Sequence, residues 1–200
     1  MELAAWTPDV IQYSLNVAMG LCLAATCGLR TFLPLLTLNI LALSGSLELN
    51  ESFEFAGGWP ATLVFGTATL VEVVGDKVPG IDHLMDGLGL LAKPIAATIL
   101  AAAVLTDLDP LLAAVLGMIG GGASASLIGV LKAKVRAVSS VSTAGMGNVV
   151  LSVGEDAAAL STVVIAALFP ALAVGAVGAG ALVMILLLRR RRARARARAR

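Results

Sequence analysis

Long apolar runs separated by short polar interruptions dominate the chain. The runs cover about residues 10–29, 31–44, 60–75, 94–106, 111–131, 145–169 and 171–188. A helix needs about 20 residues to cross the hydrocarbon core of a bilayer, so 31–44 and 94–106 are short and read as half-spans, tilted partners or re-entrant pieces. In lipid every backbone donor and acceptor must be satisfied internally, which leaves helices or closed barrels. The runs lack the alternation of strands. The pattern therefore predicts an all-α, polytopic transmembrane helical bundle of six to seven spans with short or broken helices. Between Pro79 and Pro94, residues Ile81, Leu84, Met85, Leu88 and Leu91 recur at helical spacing, opposite Asp82, His83 and Asp86. That stripe predicts one interfacial amphipathic helix, with folding back into the interior as the alternative.

Composition strengthens this picture. Of 200 residues, 58% are hydrophobic and 14% charged, against about 25% charged in soluble domains. No Pro/Ser-rich linker divides the chain, so 1–188 reads as a single transmembrane domain. The net charge of +1 conceals an uneven distribution: eight of the fourteen basic residues lie in 189–200, leaving six Lys/Arg against thirteen Asp/Glu elsewhere. The segment 189–200 is expected to be a disordered, arginine-rich cytoplasmic tail. Its economical partner is anionic lipid, at about 1 kcal/mol per charge near the surface, rather than nucleic acid. Cys22 and Cys27 have neither redox nor zinc spacing and read as small core residues. The acidic N-terminal stretch does not resemble a cleaved signal.

Lys/Arg in short loops mark the cytoplasmic side. Lys132, Lys134 and Arg136 read as one such connection, whereas 45–59 and 107–110 contain acids and no basic residue and are expected outside. Counting seven segments places the N-terminus outside. A break within one hairpin at Arg30 gives six and places it inside.

Ionisable groups within spans are costly, about 2.5 to 3.5 kcal/mol each on insertion scales, so those present point to function. Three clusters qualify. In T-C-G-L-R-T-F-L-P (26–34), Pro34 predicts a kink or break beside Arg30, a construction suited to substrate binding. The bland alternative is Arg30 snorkelling to the interface. In V-E-V-V-G-D-K-V-P-G (71–80), Glu72 and Asp76 share a helix face and could hold a proton or cation or pair with Arg30. Alternatively, Asp76 and Lys77 mark the membrane boundary. In 142–156, Asn148, Ser152 and Glu155 form a stripe with Asp156 alongside, either a binding surface or a polar seam between helices. The strings at 73–76 and 153–156 echo each other faintly, as in duplicated transporters.

Other signals are weaker. Gly117 and Gly121 form G-x-x-x-G, suited to close helix packing. No G-K-[ST] follows, which excludes a P-loop. His83 with Asp82 and Asp86 could hold a metal, although a solvated polar face explains them too, so the metal is left open. Gly75–Asp76 lacks the first glycine of the G-x-G-D intramembrane proteases. No cofactor motif is present, and an enzyme is the weakest reading because no nucleophile stands with a base.

The segments C-G-L-R-T-F-L-P-L-L, E-V-V-G-D-K-V-P-G-I-D-H-L-M-D and G-N-V-V-L-S-V-G-E-D together resemble the bacterial membrane family catalogued as domain of unknown function 4126. The resemblance covers about 15–170 and leaves out the arginine tail. It implies a multi-pass protein of the bacterial inner membrane and transfers no binding residue. The residues themselves favour a small transporter or channel-like protein for an ion or small solute, with Arg30, Glu72, Asp76, Asn148, Ser152, Glu155 and Asp156 lining a polar site. The alternative is a non-catalytic structural or partner-binding membrane protein. A homo-oligomer is compatible with either.

Overall fold

Prolines and caps set where the helices begin. In the computed structural model, which describes residues 8–78, 81–143, 145–169, 172 and 175, α1 (Pro8–Thr26) opens on proline. α3 (Trp59–Gly75) has Pro60 in its first turn. α5 (Pro110–Gly117) opens on Pro110, with the Asp109 carboxylate accepting from the N–H groups of Leu111 and Leu112. At these positions proline removes only a donor that has no partner within the helix. The same rule explains α2 (Phe32–Leu43): Pro34 sits in its first turn, so the chain breaks before it, between Thr26 and Phe32, and restarts.

Three more helices follow, α4 (Ile81–Ala103), α6 (Ala123–Thr143) and α7 (Met146–Leu168). A 3₁₀ turn (Glu51–Gly57) precedes α3, and a π-helical turn (Met118–Gly122) joins α5 to α6. The run Gly120–Gly122 falls within that turn. The described residues contain no strand. Gly145, at φ +86°, makes the sharp turn from α6 into α7.

α1 and α4 lie at the centre. α1 packs on α4, α6 and α7, α4 packs on α5, the π turn and α6, and α2 is held between α3 and α7. The core is built from Leu23, Ala24, Leu38, Ala97, Leu100 and Val104. Small residues let backbones approach: a Cβ on Gly117 would lie 2.7 Å from the Thr98 carbonyl oxygen, and one on Gly121 2.5 Å from that of Ala97. The G-x-x-x-G pair is therefore the surface on which α4 seats. Outward, Leu63, Leu70, Leu91, Leu111 and Val150 are exposed, the apolar coat that acyl chains would cover.

An all-α bundle with the apolar helices of a membrane protein is thus established, with three long candidate spans against the six to seven expected. Among the described residues three helices are long and apolar enough to cross a membrane: Leu84–Ala103, Pro110–Thr143 and Met146–Leu168. Val10–Thr26, Phe32–Leu43 and Trp59–Gly75 are apolar but shorter. At 1.5 Å per residue α2 extends only about 18 Å, short of a hydrocarbon core of about 30 Å. The separate interfacial helix at 81–91 is also corrected. Its residues form the first half of α4, which runs through Pro94 to Ala103 and so absorbs the short apolar run. Membrane helices tolerate an internal proline; Pro94 leaves the Leu90 carbonyl without its helical donor, and the helix continues through it. Lys132, Lys134 and Arg136 lie within α6 rather than in a connection, and Lys132 and Arg136 are buried. The expected span at 171–188 and tail at 189–200 fall essentially outside the described residues.

The two basic-free loops meet at one end. The Asn50 N–H donates to the Ala103 carbonyl at 2.8 Å, and its side-chain amide donates to the carbonyls of Leu105 and Leu108. At the opposite end lie the break before α2, the end of α3, the start of α4 and the α6–α7 turn.

Candidate functional site

At that second end the helices enclose charge. Asp76 caps the C-terminus of α3 and is the hub. One of its oxygens, Oδ2, receives Arg30 Nη1, Arg136 Nη2 at 3.0 Å and Lys132 Nζ at 3.4 Å. Arg30, in the break between α1 and α2, is fully buried. Its second terminal nitrogen donates to the Ser152 hydroxyl at 2.9 Å and lies 2.6 Å from Asp156 Oδ1. That approach pairs the charges without aligning an N–H on the oxygen, so Asp156 Oδ1 is left without a hydrogen bond, as are Arg30 Nε and Asn148 Oδ1.

Glu155, next in sequence to Asp156, points to another partner. It accepts from Arg136 Nη2 at 2.6 Å and Nε at 3.2 Å, a two-pronged contact, and lies 3.1 Å from Lys132 Nζ. Asp86 of α4 completes the inner set, 3.3 Å from Arg136 Nη1 and 3.7 Å from Lys132 Nζ. Lys132 also donates to the Leu29 carbonyl at 3.2 Å, fastening α6 to the end of α1. At the rim, Lys77, 35% exposed, reaches Asp156 Oδ2 at 2.5 Å. Arg30, Lys77, Lys132 and Arg136 thus stand against Asp76, Asp86, Glu155 and Asp156, a balanced set spread over the α1–α2 break, the end of α3, α4, α6 and α7.

Of the residues expected to line one site, Arg30, Asp76, Ser152, Glu155 and Asp156 converge in this network. Glu72 does not join it. Its two oxygens accept the backbone N–H groups of Thr31 (2.8 Å) and Phe32 (3.1 Å), so it caps α2, where the positive end of the helix dipole favours an anion. Asn148 bonds instead to Asp82 Oδ2 (3.2 Å) and the Ser140 hydroxyl (2.8 Å). The stripe 148–152–155 is one helix face with three different partners.

Sequence reasoning assigned Lys132 and Arg136 to a loop and Asp86 to a solvated face. A signal for the first two was available. They are four residues apart in L-I-G-V-L-K-A-K-V-R-A-V, the same facing arrangement that drew attention to Glu72 and Asp76. Lys134, off that face, is exposed. The acids of the network are occupied by cations, and among the described residues no group of three or more His, Cys, Asp or Glu is placed to hold a metal ion. The side chain of His83 lies outside the described residues. A shallow recess lined by Leu47, Glu48, Glu54 and Gly58 sits at the opposite end and contains none of the expected site residues.

A family model described as "Domain of unknown function (DUF4126)" matches residues 17–190. No curated protein and no solved structure matches the chain.

Proposed function

This chain belongs to the family of the domain of unknown function (DUF4126), and on that premise we propose that it is a small transporter or channel-like protein for an ion or small solute, with the Asp76 network as its closed polar site. The observation that carries this reading is the three-cation hub at Asp76, buried among apolar helices at a break in one of them. Charges at such depth are retained where they do something, since each is costly to insert, and broken helices recur at transport sites. Arg30 would hold an anion or balance the acids, and the carboxylates would carry a proton or cation. A proton or cation competing for Asp76 would loosen Arg30, Lys132 and Arg136 from the end of α3 at once, leaving them on Asp156, Asp86 and Glu155. The network end, bearing Lys77 and Lys134, would face the cytoplasm under the positive-inside rule, and the acidic loops the far side.

A structural or partner-binding role is the second reading, supported by how completely the charges pair: among the described residues only three fully buried side-chain polar atoms, Arg30 Nε, Asn148 Oδ1 and Asp156 Oδ1, lack a hydrogen bond. Purified full-length chain in liposomes separates the two. Transport predicts flux of at least one member of a panel of protons, alkali cations, halides and small metabolites, altered by Glu155→Gln and Asp76→Asn. Absence of flux in folded, reconstituted protein would favour the structural role.

A further inference from the structure

One largely buried lysine has no partner among the described residues. Lys93, in the middle of α4, is 5% exposed, yet makes neither a hydrogen bond nor an ion pair with any described residue. The charges that act on it are Lys132 of α6, Asp86 of its own helix, Glu72 of α3 and Glu155 of α7. None of these acids is idle. Glu72 holds the N–H groups that open α2, and Asp86 and Glu155 are held by Lys132 and Arg136.

Space for Lys93 is made by two glycines. A Cβ on Gly89, one turn earlier on α4, would lie 3.0 Å from Lys93 Cε and 3.3 Å from Nζ, and a Cβ on Gly129 of α6 would lie 3.3 Å from Cδ. The side chain runs between the two helices in a slot that larger residues would close. An isolated buried ammonium is among the costliest groups a protein can retain, and methionine or leucine at 93 would remove the cost.

We propose that Lys93 is an oxyanion-binding residue, its amine taking a carboxylate or phosphate oxygen of a small anion or of an anionic lipid headgroup in the slot between α4 and α6. This rests on the transport reading for its purpose and deepens it by naming the cargo or regulator as an anion, while the binding itself stands or falls separately. A second cation, Lys132, lies on the facing helix, and of the acids nearby Asp86 and Glu155 are already paired with Lys132 and Arg136, while both oxygens of Glu72 are taken by backbone N–H groups.

Equilibrium binding on the full-length chain in nanodiscs tests it. The probes are inorganic phosphate and acetate at constant ionic strength, and discs of phosphatidylcholine with or without phosphatidic acid. The wild type should bind at least one probe saturably and be stabilised by it against heat. Lys93→Met should bind about tenfold more weakly or worse, the usual loss for a charged hydrogen bond, while melting higher in the absence of anion. Lys93→Arg should keep part of the affinity. Gly89→Ala, which crowds the amine without removing it, should weaken binding and leave the fold intact. Binding of phosphate or acetate assigns a soluble anion, and binding of phosphatidic acid alone assigns a headgroup; both support the site. Equal binding by wild type and Lys93→Met, or binding of no probe by the wild type, overturns it. Loss of binding in Lys93→Met without flux in liposomes would sustain the site and remove the transport reading. Flux that is indifferent to Lys93→Met and to every anion would do the reverse.

Discussion

Asp76 and Glu72 stand one turn apart on α3 and do different work, which shows how little spacing says about partners. Asp76 pairs with three buried cations, and removing one partner of a buried pair costs about 3–5 kcal/mol. Asp76→Asn should therefore destabilise the detergent-solubilised protein by at least that amount, read as a fall in its denaturation midpoint. Glu72→Gln should cost less, about 0.5–2 kcal/mol, the range for a lost helix cap, because one amide oxygen can still accept from Thr31 or Phe32. Arg136 and Glu155 make a cleaner comparison. Losing either alone leaves the other with fewer counter-charges, Arg136 with Asp76 and Asp86 and Glu155 with Lys132, whereas replacing both with methionine should recover part of the loss, since apolar replacements of buried pairs are often neutral or better. A double-mutant cycle on unfolding free energy would measure the coupling, and independent, additive losses would contradict the contact.

The apolar helices and the break at Arg30 were legible in the sequence because they depend on neighbours, as Pro34 acts within a turn; the caps at Pro60 and Asp109–Pro110 and the turn at Gly145 came with the structure. Two errors share one physical cause. Pro94 divides 81–93 from 94–106 by the rule that holds in water, but inside a membrane bundle the helix runs through it. Lys132 and Arg136 were placed in a loop because charge ordinarily seeks water, but Asp76, Asp86 and Glu155 supply the neutralisation from other helices. Both outcomes depend on tertiary contacts that spacing along one element does not encode. Gly121 carries the matching prediction for helix packing. With a Cβ only 2.5 Å from the Ala97 carbonyl, Gly121→Val should push α4 from the π turn and lower the thermal midpoint sharply. Gly154→Ala, whose Cβ would meet nothing within 4 Å, should leave it nearly unchanged or slightly raised, since alanine favours helix over glycine.

Across the whole molecule, charge is segregated by end. Acidic loops gather around Asn50, Leu105 and Leu108, and the basic side chains gather with their counter-charges at the other end. That asymmetry was readable from the counts of Lys and Arg, although the elements that carry it were not. Single-cysteine labelling in intact cells checks the consequence, in a background where Cys22 and Cys27 are replaced by alanine. Glu48→Cys should react with a membrane-impermeant maleimide from outside, and Lys134→Cys only after the membrane is opened. The reverse pattern would invert the proposed orientation.

The distances along the chain between the network's members bear on how the protein is made. Arg30 meets Asp76 46 residues later and Ser152 122 residues later. At about 5–20 residues per second, the ribosome delivers α7 several seconds after Arg30 has been synthesised. Until then the guanidinium has Asp76 for a partner but neither Ser152 nor Asp156, so α1 and α2 are expected to reach their final depth only when α7 arrives. Nascent chains arrested before residue 146 should therefore hold the first two helices in a shallower, more water-accessible position than the finished protein does.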